Sequence, residues 1–286
     1  QNNSLIIVYV KGKELIKLEH LSILEINGKG SFELLQGQIT SDMEKVSLDN
    51  CVVGSICDIK GRVVSSFITS KNVKENNSFF LVGETKALEV TKTVLEKYQP
   101  FYDSSLRLRK DIKFYAIEEG CLISDFPKSN LDISSQNYDS FFRLHYLEKK
   151  YHLIAFIESE EFKGYNISND KLPWELDEII NQNFEITSEV INKFTPHELG
   201  YHLNTRIDFE KGCYTGQEIV ARMHYRAKKL PEIIVRSTNK EVKDLMKVYD
   251  KEDKVVGLIL SCTKTDNNYQ CLLTMNKNYS GQDLDF

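Results

Sequence analysis

The run Lys211-Gly212-Cys213-Tyr214-Thr215-Gly216-Gln217-Glu218 combines a thiol, an amine and two glycines within eight positions. Thr215 followed three residues later by Glu218 has the form of a capping box, so a helix is expected to start here. Ile219, Val220, Met223, Ala227 and Leu230 then recur at helical spacing. Cys213 would lie just ahead of that helix N-terminus, where the dipole favours negative charge, with Lys211 two residues away. Both effects favour a thiolate, the form that attacks electrophiles and binds metals. Gly212 and Gly216 would let backbone or ligand approach closely. The competing reading is a buried structural thiol beside a glycine-rich turn. Arg222, Arg226 and Lys229 share another face of the helix, and Glu218 stands four residues before Arg222, the favourable order for an ion pair. By itself that basic face reads as a solvated surface, with an anionic ligand as the alternative.

The elements that must position this segment are mixed. Leu15 to Ile26 reads as one strand, and Asn27-Gly28-Lys29-Gly30 turns the chain. Ser31 is the expected N-cap of a helix through Gln36, which Gly37 would end in a left-handed conformation. Val52 to Ile59 and Arg62 to Thr69 form a hairpin pattern around Lys60-Gly61. Phe79 to Val82 and Leu153 to Ile157 read as strands, with a helix over Thr85 to Tyr98. Asp125 to Asp139 reads as a loop, and Pro173-Trp174 opens a helix through Ile180. Past Arg226 the texture becomes short strands: Glu232 to Arg236, Leu245 to Tyr249, Val255 to Cys262 and Gln270 to Met275. The expected division is an α+β region over 1–225 and a small all-β domain over 226–286.

Composition narrows the function classes. The chain has 286 residues, 41% apolar and 28% charged, enough for two or three domains with their own cores. No apolar run reaches the roughly 18 residues of a membrane span, and no leader pattern is read at the first residues. Cysteines at 51, 57, 121, 213, 262 and 271 show no Cys-x-x-Cys spacing. They read as reduced, cytoplasmic thiols and not as a zinc or cluster framework. A net charge of −5 argues against strong direct nucleic-acid binding. Asp58 is read as capping the hairpin turn, and His197 as a hydrogen-bonded structural histidine. His202 and His224 have no spaced metal-ligating partner.

Four blocks carry a resemblance. Lys211 to Glu218 resembles the signature octapeptide of the YgfZ family, relatives of the T-protein (aminomethyltransferase) of glycine cleavage. Leu35-Gln36-Gly37-Gln38-Ile39-Thr40-Ser41-Asp42 is similar to its N-terminal block, Cys57 to Val63 to its hairpin, and Phe194-Thr195-Pro196-His197-Glu198 to the block before the signature. The resemblance implies two mixed α+β domains and a C-terminal β-barrel around a central folate pocket. It also implies tetrahydrofolate as cofactor, and iron–sulfur enzymes, including tRNA-modifying proteins, as partners. Cys213 would be the working residue with Lys211 tuning it. Trp174, Leu21, Gly212, Tyr214, Glu218, Arg222 and Arg226 are the positions it assigns to folate contact.

A pterin wants a flat apolar platform, a carboxylate for its paired donors and cations for its glutamate tail. Leu21 stands where some relatives carry a second tryptophan. T-proteins have an R-D-x-L-R-x-E-x-G stretch whose Glu reads the pterin; here the region is Trp174 to Gln182, without the Arg or the Glu-x-Gly register. Asp177 or Glu178 would have to substitute. The expectation is therefore a folate-binding helper, with a folate-dependent one-carbon transferase and a partner-binding scaffold as the alternatives.

Overall fold

A computed structural model describes residues 15–48, 50–72, 75–118, 141–146, 151–156 and 166–279. The loop expected over Asp125 to Asp139, and Cys121, lie outside the described residues. The expected first strand is two. β1 (Leu15–Lys17) and β2 (Leu21–Asn27) are separated by a turn at Leu18 to His20, where Leu21 N–H bonds Leu18 O. They enter different sheets, so these few residues join two layers.

After β2 comes α1 (Ser31–Gln36), which begins one residue earlier than expected. Gly30 is the N-cap, and the Ser31 hydroxyl instead bonds the carbonyls of Gly28 and Asn77. Gly37 ends the helix at φ −82°, right-handed and not left-handed, because its N–H closes onto Glu33 and Leu35. The hairpin follows as β3 (Val52–Cys57) and β4 (Val63–Lys71), with Asp58 Oδ1 accepting from Lys60 and Arg62 N–H across the turn. Then come β5 (Ser78–Glu84), α2 (Thr85–Glu96) capped by the Glu84 carboxylate, and β6 (Ser105–Arg109). These strands form one sheet in the order β3-β4-β5-β2-β6.

β7 (Lys113–Glu118), β8 (Phe141–Tyr146), β9 (Tyr151–Phe156) and β10 (Ile167–Ser168) join β1 in a second sheet, ordered β10-β1-β7-β9-β8. Ile16, Leu18, Leu21, Ile23, Ile68, Val82, Phe114 and Ala116 from both sheets pack in one cluster. Trp174, on α3 (Leu172–Ile180), joins it at only 4% exposure.

The third sheet corrects an expectation. β11 (Glu232–Thr238), β12 (Lys247–Tyr249), β13 (Val255–Lys264) and β14 (Tyr269–Met275) appear where expected, but in the order β11-β14-β13-β12. This is an open sheet, and no closed barrel is found among the described residues. β12 is only three residues long and pairs with β13 alone, so it does not reach across to β11. Both faces of the sheet carry apolar side chains. Ile233, Leu260 and Leu272 pack against the 179–220 segment, whereas Val248, Ile259, Cys271, Leu273 and Met275 form a cluster on the other side. No helix among the described residues is long and apolar enough to cross a membrane.

Because Trp174 fills the cluster between the first two sheets, Trp174→Ala is expected to cost about 3–5 kcal/mol of stability. Urea unfolding followed by circular dichroism checks this, and a loss below about 1 kcal/mol would contradict the packing.

Candidate functional site

The residues from Arg206 to Gly216 form an irregular segment, and the structure shows how it is held. Lys211 is buried, and its ammonium donates to the carbonyls of Gln36 at 2.8 Å, Ile39 at 2.7 Å and Ser41 at 3.0 Å. An ammonium has three protons, so none remains for the Cys213 sulfur. Burial pulls Lys211 down to about 8, against the opposing pull of Asp42 and Asp208, so it is still charged at neutral pH. Its Nζ also lies 5.3 Å from the centre of the buried Tyr214 ring.

Further bonds lace the same two segments together. The Thr40 hydroxyl bonds Arg206 O at 2.5 Å, and Asp208 N–H bonds Thr40 O at 2.9 Å. Thr215 N–H reaches Gly37 O, and its hydroxyl donates to Gln38 Oε1 at 2.9 Å. Lys45 pairs with Asp208. The expected capping box is absent: Thr215 spends its hydroxyl on Gln38, and α4 (Gln217–Arg226) has Gly216 as N-cap with no side-chain cap.

Gly216 has a positive φ of 84°, and a Cβ there would meet Asp58 O at 2.4 Å and Cys57 Cβ at 3.1 Å. The hairpin turn therefore presses on the head of α4. Val63, the first residue of β4, completes the arrangement: its N–H bonds Phe194 O at 2.8 Å, and its carbonyl accepts from Asn192 N–H at 2.9 Å. The four blocks singled out in the sequence thus meet at one place.

At that place Cys213 is exposed, between the clamped Lys211 and the buried Tyr214. Gly212 is exposed, and a Cβ added to it would meet nothing within 4 Å, so one side of the thiol is open. Cys57, by contrast, is sealed in the core, and burial pushes its thiol up to about 12. Glu218, Arg222 and Arg226 lie on the exposed face of α4, of which only Val220 is buried. Glu218 and Arg222 do not form the expected ion pair among the described residues.

Comparison with known proteins gives likenesses in sequence and in fold. No family model matches the chain. A tRNA-modifying protein YgfZ from Colwellia psychrerythraea is 29% identical over 229 residues, covering 75% of this chain and 68% of that one. The protein of the same name from Aliivibrio fischeri (strain MJ11) is 26% identical over 216 residues, covering 73% and 66%. The chain thus spans about two thirds of the length of these relatives. The crystal structure of glycine cleavage system aminomethyltransferase T from Bartonella henselae superposes with a TM-score of 0.71 over 95% of this chain and 81% of that one, at 12% identity. The chain is thus similar to YgfZ proteins in sequence and to a GcvT-type protein in fold.

In this chain the residues assigned to folate are not gathered. Trp174 and Leu21 share the core cluster, Leu21 at 6% exposure, and neither presents an open stacking face. Leu21 does line a cavity of about 250 Å³, together with Leu18, Ile112, Phe114, Lys17 and Lys113, but Trp174 is not part of its lining. Asp177 is buried, and Glu178 accepts from the Asn183 amide at 3.0 Å. As placed, these side chains do not fit a stacked pterin at Trp174; an apolar wall at Leu21 with nearby cations is the part that does fit.

Two features escaped the sequence reading. Arg206, 1% exposed, donates to Asn183 Oδ1 at 2.9 Å, contacts Glu185 Oε1 at 3.4 Å and lies 5.2 Å from the Tyr201 ring centre. It joins β3 and β4 to the 183–207 segment through the carbonyls of Gly54 and Phe67. Nothing in its local sequence marks it. The second is a histidine group: His197, His202 and His224 have ring centres 4.9, 5.9 and 6.4 Å apart, and Phe209 stacks on His224 at 3.8 Å. Against expectation, neither ring nitrogen of the fully buried His197 has a protein hydrogen-bond partner. No group of three metal-ligating side chains among the described residues is arranged to hold an ion.

Burial, reinforced by the two neighbouring histidines, lowers His197 to about 4. The unfolded chain takes up its proton near 6.5, so stability is expected to fall as pH drops from about 6.5 towards 4, by on the order of 2 kcal/mol. His197→Phe should flatten that dependence in urea titrations at pH 7 and 5; an unchanged slope would contradict it. The two glycines beside Cys213 separate in the same assay. Gly216→Ala is expected to cost more than about 2 kcal/mol, whereas Gly212→Ala should stay within about 1 kcal/mol.

Proposed function

We propose that this chain is a cytoplasmic, tetrahydrofolate-binding helper that supports iron–sulfur-dependent tRNA-modifying enzymes, with Cys213 as its working thiol. The observation that carries this reading is the exposed Cys213 on a loop pinned at both ends: by the Lys211 carbonyl clamp before it, and by Thr215 and Gly216 after it. A thiol so held can attack an electrophile or ligate a metal without the loop having to order first. Lys211 is then a positioning residue, since its protons are spent on the backbone.

The relatives' names support a tie to tRNA modification, and the fold likeness supports a folate connection. The cofactor's apolar wall falls to Leu21, and the cations Lys17 and Lys113 around the same cavity suit its carboxylates. Arg222 and Arg226 on exposed α4 suit an acidic partner surface or the glutamate tail. Tetrahydrofolate would supply a one-carbon carrier or a reduced ring; the chain's own residues bind and orient it. The likeness to an aminomethyltransferase favours a second reading, a folate-dependent one-carbon transferase. The missing Arg and Glu-x-Gly register in 174–182 weighs against it.

Cys213→Ala should leave the fold and folate affinity unchanged but abolish rescue of iron–sulfur enzyme activity in a null strain; full rescue would remove the thiol from the mechanism. Tetrahydrofolate titration followed by the emission of Trp174 and by calorimetry tests the cofactor separately, and an absence of heat and of emission change would discard it. Steady turnover of an aminomethyl substrate would favour the transferase reading.

A further inference from the structure

The third sheet carries two cysteines that the proposed function does not use. Cys262 on β13 and Cys271 on β14 are directly opposed in the antiparallel register, so both side chains leave the same face. Cys271 is fully buried in the cluster on that face, and Cys262 packs at its edge, partly exposed. The Cys262 thiol donates to Val242 O at 3.7 Å, and the two thiols are close enough to perturb one another electrostatically. Opposed residues of an antiparallel pair have Cα atoms about 4.5–5.5 Å apart, inside the ~4.4–6.8 Å range of disulfides. The pairs on either side, Ser261 with Leu272 and Thr263 with Gln270, hold the register, so closure needs side-chain rotation and no slip of the strands.

We propose that Cys262 and Cys271 form a modification site, at which a peroxide-class oxidant links β13 to β14 by an intrachain disulfide. One sulfur, as thiolate, attacks a peroxide oxygen; the O–O bond breaks, leaving a sulfenic acid and hydroxide. The second sulfur attacks the first, the S–S bond forms, the S–O bond breaks, and water leaves. The protons released by the two thiols end on the hydroxide and on that water. Two thiols and one hydrogen peroxide thus become one disulfide and two waters. The electrostatics fit a pair that shares a proton. The nearby Cys262 thiol holds Cys271 below the usual thiol range, while Cys271, burial and Asp244 push Cys262 up. The exposed Cys213 has no such neighbour among the described residues and would stop at sulfenic acid or link two molecules.

The test is peptide mapping of the reduced full chain after treatment with hydrogen peroxide, quenching, denaturation and N-ethylmaleimide labelling. The expected result is loss of maleimide labelling at both Cys262 and Cys271, with a joined peptide lighter by two hydrogens than its parts and split again by dithiothreitol. Because Cys271 is fully buried, the control variant is Cys262→Ser at the edge, in which Cys271 should label fully and no joined peptide should form. Recovery of both cysteines as maleimide adducts under conditions that fully oxidise Cys213 would overturn the proposal, as would oxidation of either one to sulfinic acid without bridging.

Discussion

One ammonium group organises the centre of this protein. Lys211 is taken out of water and compensated by three carbonyls from the end of α1 and the turn after it, all within 3.0 Å. A buried cation is costly unless its donors are satisfied, and a truncated partner would leave either the charge or the carbonyls stranded. The interaction therefore ties residues some 170 positions apart into one unit and sets the path of the chain on both sides of Cys213. The exposed thiol is a consequence of that path: Lys211 and Tyr214 turn inwards, and the residues between them must face out.

Around this clamp, backbone contacts do what side-chain charges were expected to do. Gly216 permits the head of α4 to touch the hairpin turn at Cys57 and Asp58, and Asp58 in turn holds that turn closed through two N–H donors. Arg206 extends the same logic deeper, fastening the carbonyls of β3 and β4 to the segment that fills the space below the third sheet. The third sheet is sealed from below by this packing and from above by its own loops. It is an open layer, with β11 and the short β12 at its edges.

Most strands and the helices α1 to α4 were legible because their signals are local: apolar period, turn residues, and proline at a helix start. The misreadings share a cause. Leu15 to Ile26 was continuous in pattern but is divided by the turn at Leu18 to His20, because two sheets compete for it. Ser31 and Thr215 had the right chemistry for caps, yet each found a better partner from a distant segment, Asn77 O for one and Gln38 Oε1 for the other. A cap is worth about 1 kcal/mol, so a tertiary hydrogen bond of similar strength can displace it.

By itself the sequence determined which residues belong together: four short blocks, a thiol flanked by glycines, and a lysine two positions before it. Only the tertiary structure decided what each member does. Lys211 reads as a partner for the nearby sulfur when neighbours along the chain are all one can see, but its protons go to carbonyls 170–175 positions away. Trp174 reads as a ligand platform and is packed in the core instead. Arg206 carries no local signal, and nothing along the chain says that the three histidines will meet. Burial and hydrogen-bond partnership are properties of the folded neighbourhood, and no spacing along a chain encodes where a long side chain will find its acceptors.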